Sequence, residues 1–350
     1  MIQQLKNISA NVLKLLAIAL IIILCGIAYL GYRLLYSPDF ESNNKEPIYI
    51  YINRSTTFEQ LCEALATTAH CKRIKDFVFL AEKLNYPENM KTGRYAVFSG
   101  MNHLDLLNRL RRGQQKAVRI TFNNVRLTEE LAERLADQLM ITKEEIISLL
   151  QDQDFCNSQG FSTTTITTMF IPNTYEMYWN ITAENLIARM RVEYDTFWNK
   201  DRMEKADDAG LTPVETSILA SIVEEESAVE DEYPTIAGLY INRLKKGMLL
   251  QADPTVKYSV GDFTLRRILD KHKTVKSPYN TYMHTGLPPG PIRFPSIKAI
   301  DAVLNFKHHK YLYMCAKEDF SGRHNFSATL TEHTHNASRY HSELNRRRIR

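Results

Sequence analysis

The chain has 350 residues and a mass of 40.5 kDa, room for about two domains. Hydrophobic residues at 44% and charged residues at 24%, with only 13 glycines and 12 prolines, exclude collagen-like and Pro/Gly-rich disordered chains. Lys6, Lys14 and Arg33 supply most of the +4 net charge; from residue 34 onward 41 basic residues face 40 acidic ones, so no single-sign field suited to nucleic acid is left.

Leu15 to Tyr32 is a run of eighteen residues without a charge. As a helix it extends about 27 Å, close to the roughly 30 Å of a bilayer's hydrocarbon core. A buried core helix would carry a polar stripe, and this run has none. A cleavable signal peptide would have a shorter apolar part and a small-x-small site, where Tyr29, Leu30, Tyr32 and Arg33 stand instead. The run therefore predicts an uncleaved anchor over residues 12–35. Lys6 and Lys14 before it, against Arg33, Asp39, Glu41 and Glu46 after it, favour a cytoplasmic N-terminus of residues 1–11. The rest would lie outside the cytoplasm, held to the cell (inner) membrane by a single pass.

Residues 36–46 read as a polar linker. Ile48, Ile50 and Ile52, alternating with Tyr49 and Tyr51, predict a strand. Thr56 followed by Glu59 predicts a capping box that opens a helix through Leu65. A second helix is expected near Lys75–Leu84, a turn and strand at Thr92–Tyr95, and a third helix under Leu104, Leu107 and Leu110. These make a small α/β module of residues 47–113. Val118, Ile120 and Phe122 start a larger domain, residues 114–350, and the whole reads as α+β. Cys62 and Cys71 could pair in an oxidising compartment, whereas Cys156 and Cys315 read as buried thiols. Without a CxxC, neither a zinc site nor a redox motif is supported. His333 and His335 lack the helical i,i+4 His pair with an acid that a metal site would need, so neither metal nor cofactor is expected. A basic tail, Arg346 to Arg350, reads as a solvated end.

Thr212, Pro213 and Glu215 carry three helix-start signals, and the helix ends in Glu224-Glu225-Glu226. Stepping about 100° per residue, the apolar stripe centres near 90° and Glu226 falls near 120°, inside it. Glu225 lies at the edge and Glu224 on the opposite face. Burial and the negative end of the helix dipole would both raise the Glu226 pKa, suiting it to act as a general acid. Ordinary glycoside hydrolysis would need a second carboxylate, for which Asp253, Glu176 and Asp262 are candidates. Asp253-Pro254 reads as a turn start. Ser277 to Pro291 reads as a binding loop, and the aromatics of Pro172 to Trp179 as core or as sugar-stacking groups.

Several segments resemble the endolytic murein transglycosylase (YceG-like) family. They are Ala220-Ser-Ile-Val-Glu-Glu-Glu226, Ile241-Asn-Arg-Leu244, Leu250-Gln-Ala-Asp-Pro-Thr-Val256, Tyr279-Asn-Thr-Tyr282 with Gly286-Leu-Pro-Pro-Gly290, Tyr311-Leu-Tyr313 and His324-Asn-Phe326. Asn173 departs from the expected Asp of a Pro-x-Thr-Tyr motif, and Ser327 from an Asn after His-x-Phe. The resemblance implies a LysM-like module over 47–113 and a catalytic domain over 114–350. It implies Glu226 as the essential acid. One Glu then serves as acid and base while the MurNAc C6 hydroxyl closes on C1, leaving a 1,6-anhydroMurNAc end. Gln251, Asp253, Asn280, Tyr282 and His324 would line the sugar cleft. Peptidoglycan glycan strands are the implied substrate, with cell-wall synthases as possible membrane partners and strand termination as the implied role.

Overall fold

The computed structural model describes residues 2–41, 46–265 and 267–347. Residues 42–45 of the expected linker and 348–350 of the basic tail lie outside them, as do the side chains before Val12, Lys6 included. Helix α1 (Ile2–Tyr36) carries the apolar run. Its Val12–Tyr36 stretch has a mean hydropathy of 2.7 and none of it is buried; among the described residues it is the one helix long and apolar enough to cross a membrane.

The chain divides into two units. The first comprises residues 1–118 and 176–180. Within it β1 (Ile48–Ile52) is followed by α2 (Phe58–Thr67), α3 (Ile74–Lys83), β2 (Gly93–Val97) and α4 (His103–Arg112). β1 and β2 pair antiparallel, with Ile50 opposite Tyr95. Ile50 and Ile52 point into a core shared with Phe40, Leu61, Leu65, Phe77, Tyr86 and Leu107, while Tyr51 faces solvent, as period-two alternation requires. Each fully buried Leu or Phe of this set contributes about 1.5–3 kcal/mol. The capping box that opens α2 stands one residue later than expected: Thr57 and Gln60 form it, because the Thr56 hydroxyl is engaged with Asn53 in the preceding turn. Gly113 ends α4 in the left-handed region at φ 68°, which a glycine adopts at little cost.

Cys62 and Cys71 do not pair. The Cys71 thiol instead faces the buried Asp39 carboxylate, to which it donates at 3.0 Å. Asp39 also accepts from Arg73 Nε at 2.7 Å and from the Arg73 backbone N at 3.0 Å, and lies 2.8 Å from His103 Nε2. The same guanidinium donates to the carbonyls of Arg33 and Ser37, so α3 grips the chain where it leaves α1.

The second unit comprises residues 119–175 and 181–350. β3 (Val118–Phe122) and β4 (Asn173–Met177) form a two-stranded sheet in which Thr121 Oγ1 meets Thr174 Oγ1 at 2.8 Å. Between them lie α5 (Thr128–Ala136), α6 (Lys143–Gln151) and α7 (Gln153–Ser158); α8 (Ala183–Phe197) and α9 (Lys200–Ala209) follow. Helix α10 (Pro213–Glu226) runs through the middle, packed by α9, α11 (Tyr233–Lys245), α12 (Asp253–Val260) and α14 (Ile297–Leu304). Asp253-Pro254 thus opens a helix, with Pro in its first turn, in place of the expected turn. α13 (Asp270–Lys273) precedes the 277–291 loop. β5 (Tyr313–Ala316) and β6 (His324–Ser327) pair antiparallel with Ala316 opposite His324, and α15 (Leu330–Arg346) covers them. Helix and sheet are mixed throughout, as the α+β reading expects.

The wheel argument for α10 needs correcting. Every residue from Thr216 to Val223 is buried, so no polar face exists to contrast with the apolar one. Ser217 and Ser221 are tolerated inside because their hydroxyls donate to the carbonyls of Pro213 and Ile218. Ser221 Oγ also accepts from Ile292 N at 3.0 Å, tying the end of the 277–291 loop to the helix.

Candidate active site

The capping box predicted at Thr212 and Glu215 is present, with Pro213 in the first turn. It fixes the register in which α10 delivers three consecutive acids to its C-terminal end, and each meets a different environment. Glu224 accepts from Ser296 N at 2.8 Å and lies 3.6 Å from Arg293. Glu225 is held by two guanidinium groups, Arg126 at 2.7 and 2.8 Å and Arg293 at 2.7 Å. No arginine among the described residues bonds Glu226. Its Oε1 accepts from the Tyr240 hydroxyl at 2.5 Å.

Burial raises the Glu226 pKa from the ordinary 4.5 to about 7. The Tyr240 hydrogen bond opposes that rise, the nearby Asp253 charge adds to it, and the more distant Arg243 and Lys257 oppose it. A carboxyl with that pKa is protonated in a large fraction of molecules near neutrality and can give and retake a proton.

Glu226 stands in a cleft with two lobes. The narrower, about 190 Å³, is lined by Tyr240, Arg243, Gln251, Asp253, Tyr282 and His324, with Met314, Cys315 and Ala316 of β5 behind them. The wider, about 630 Å³, shares Glu226 and Asp253 and continues past Pro254 and Lys257 to Arg267, Tyr340, His341 and Leu344. Gln251 holds φ at 49° with its N–H donating to Thr281 O, which turns the chain into α12. Asp253 Oδ1 accepts from the Tyr282 hydroxyl at 2.6 Å. His324 is oriented by Glu232, whose two oxygens lie 2.9 Å from the His324 backbone N and ring Nδ1.

Of the residues singled out from the sequence, Gln251, Asp253, Tyr282 and His324 thus come together around Glu226. Asn280 does not line the cleft: it is fully buried and its carboxamide donates to the carbonyls of Lys273 and Val275, shaping the loop from within. Asp262 caps Thr264 at the surface, and Glu176 belongs to the first unit. Cys315 is not fully buried as expected but lines the narrow lobe, whereas Cys156 is wholly inside. Asn173 is exposed, its side chain accepting from the neighbouring Thr174 N, and Ser327 is buried against Asn336.

Three residues of the site escaped the sequence reading. Tyr240 and Arg243 lie on α11 and look like ordinary interior and helix-end residues. Only the Ile241–Leu244 segment pointed towards them. Arg243 is buried and donates to the carbonyls of Leu312, Leu249 and Leu250, fastening both walls of the narrow lobe. Glu232, in a run of surface-looking acids, carried no signal at all.

The sequence profile of the YceG-like family matches residues 50–339. A Bacillus subtilis protein named endolytic murein transglycosylase is 29% identical over 340 residues, covering 92% of each chain. A Streptococcus pneumoniae protein of the same name is 24% identical over 350 residues; the match takes in 91% of this chain and 63% of that longer protein. A crystal structure of a YceG-like protein from Listeria monocytogenes superposes with a TM-score of 0.55 at 26% identity, over 83% of this chain and 99% of that one.

Proposed function

The chain belongs to the YceG-like family, and from that premise we propose that it is a peptidoglycan-cleaving lyase, an endolytic lytic transglycosylase. The observation that carries this reading is one glutamate, Glu226, whose pKa burial raises to about 7, at the junction of two cleft lobes. The relatives' shared name supplies the substrate class.

In the proposed reaction a strand lies across the cleft with its MurNAc–GlcNAc β-1,4 bond at Glu226. Tyr240 occupies Oε1, so Oε2 presents the proton to the glycosidic oxygen. As that bond breaks, an oxocarbenium-like centre develops at C1 of MurNAc. The Glu226 anion, stabilised by the same phenol, then removes the C6 hydroxyl proton while that oxygen bonds to C1. The products are a 1,6-anhydroMurNAc end and a free GlcNAc C4 hydroxyl, with the enzyme restored. Asp253, fixed by Tyr282, and His324, fixed by Glu232, are proposed to bind the sugars, together with Gln251.

The 114–350 segment is proposed as the catalytic domain and 47–113 as a LysM-like module, the latter supported by its strand–helix–helix–strand order. Helix α1 is proposed as a single-pass anchor in the inner membrane with the N-terminus cytoplasmic, which would place the enzyme beside the synthases whose strands it terminates.

Product analysis on uncrosslinked strands tests the reaction. Anhydro-ended fragments are expected. Because Asp253 shares the cleft, a water-using muramidase is the rival, and its reducing-end fragments would be heavier by one water. Undiminished anhydro release by Glu226→Gln would reject the role given to Glu226.

A further inference from the structure

The wide lobe contains two cations that the proposed chemistry does not use. Lys257, one turn into α12, and Arg267, ahead of α13, both line it, and neither forms a hydrogen bond or ion pair among the described residues. Their neighbours differ. Arg126 and Arg293 both bond the Glu225 carboxylate. Lys257 even works against the general acid, because its charge favours the Glu226 anion. A neutral polysaccharide gives no reason to keep two unpaired cations beside the reacting bond, where one of them opposes catalysis.

An anionic substituent does. Given the reading of this chain as a peptidoglycan lyase, on which this step rests, the lactyl carboxyl of a substituted MurNAc is taken up in the amide to its stem peptide, so the carboxylates of such a strand are those of the peptide. The two lobes differ in the matching sense, about 190 Å³ against about 630 Å³. The narrow one fits a bare sugar, and the wide one has room for a substituted one. We propose that the wide lobe is a stem-peptide subsite in which Lys257 and Arg267 bind peptide carboxylates, so that the enzyme prefers strands whose stem peptides carry free carboxylates over strands whose peptide carboxyls are amidated.

The test is equilibrium binding of the full-length chain in detergent, with Glu226→Gln present to prevent turnover. Two soluble, uncrosslinked strand preparations are compared, one with free stem-peptide carboxylates and one with those carboxyls converted to amides, because stripping the peptides with an amidase would bare a lactyl carboxylate on every MurNAc. The inactive parent is expected to bind the strands with free peptide carboxylates roughly three- to thirtyfold more tightly, the range of two exposed ion pairs. The ratio should shrink at high salt. Adding Lys257→Ala and Arg267→Ala should bring it close to one, and Lys257→Arg with Arg267→Lys should restore most of it, which a misfolded variant could not do. A parent without preference, or a preference that survives loss of both charges, overturns the subsite. Release of anhydro ends by the unsubstituted chain alongside such a result would overturn the subsite alone and leave the enzymatic reading standing.

Discussion

The Tyr240 hydroxyl and Glu226 Oε1 are 2.5 Å apart where α10 ends against α11. A phenol that donates to a carboxylate favours the ionised form. Tyr240 therefore holds the Glu226 pKa below the level that burial alone would set. Tyr240→Phe should raise it above about 7. Since the acid works protonated, the alkaline limb of the kcat/KM profile should move to higher pH. On the plateau kcat should fall by about three- to tenfold, the usual worth of one hydrogen bond, because the proton is no longer steered to Oε2. A pH–rate profile of the variant reads both effects, and a limb that stays or moves down would contradict the assignment.

Glu226 should also oppose the stability of its own fold. Its folded pKa of about 7 lies above the ordinary 4.5. The stability associated with the protonated form is therefore fully present below pH 4.5 and lost as pH rises through 7. Above that the buried anion costs up to about 3 kcal/mol. Glu226→Gln keeps an acceptor for Tyr240 and removes the ionisation. The variant should melt higher than the parent at pH 8.5, with the difference vanishing near pH 4.5, while anhydro-end release disappears. Thermal unfolding at the two pH values decides it; a Gln variant that is less stable at both would mark Glu226 as structural.

Arg293 serves two acids at once, with side-chain exposure of only 11% beside Glu225 at 18% and Glu224 at 13%. Removing it leaves two adjacent, poorly solvated carboxylates with Arg126 alone. Breaking a buried ion pair from one side costs about 3–5 kcal/mol. Arg293→Ala should approach that, a loss on the order of 10 °C in the melting temperature of a unit this size. Arg293→Lys should recover only part, since an ammonium cannot reproduce the forked contacts to Glu225 and to Asn124 Oδ1. A melting temperature within 2–3 °C of the parent (about 1 kcal/mol) in the Ala variant would refute this weighting.

What the sequence displayed here were the features written locally. The apolar run of α1, the alternation of Ile48, Ile50 and Ile52 and the box at Thr212 each depend on neighbours within a few positions, and each is where expected. Glu226 was legible for a partly wrong reason. The wheel assumed a half-exposed helix, yet α10 is buried all round. What separates Glu226 from Glu224 and Glu225 is which arginines reach them, and Arg126 and Arg293 come from 99 and 68 positions away. Asn280 misled for the related reason that a carboxamide in a polar loop can face a ligand or the loop's own carbonyls. Only tertiary packing chooses between such partners, as it did for Tyr240, Arg243 and Glu232.

The same logic applies beside the apolar helix α1. Burial alone would push the Asp39 carboxyl up, but hydrogen bonds from Cys71, Arg73 and His103 outweigh it and hold the pKa at about 2, against an ordinary 3.8. A depressed pKa contributes stability above the unfolded value, and that stability is lost as pH falls from 3.8 through 2. Asp39→Asn keeps the shape and removes the charge, leaving the Arg73 guanidinium without its carboxylate at a site where Asp39 is 4% exposed. The expected loss is about 3 kcal/mol at neutral pH, the penalty for an uncompensated buried partner. Arg73 also carries the contacts to the carbonyls of Arg33 and Ser37. The loss should therefore appear as faster amide exchange and proteolysis at residues 37–41 and 71–73, before any change around Glu226. Hydrogen exchange on the detergent-solubilised full-length variant reads that order. Uniform loosening of both units, or none, would show that the carboxylate does not clamp the end of α1 to the start of α3.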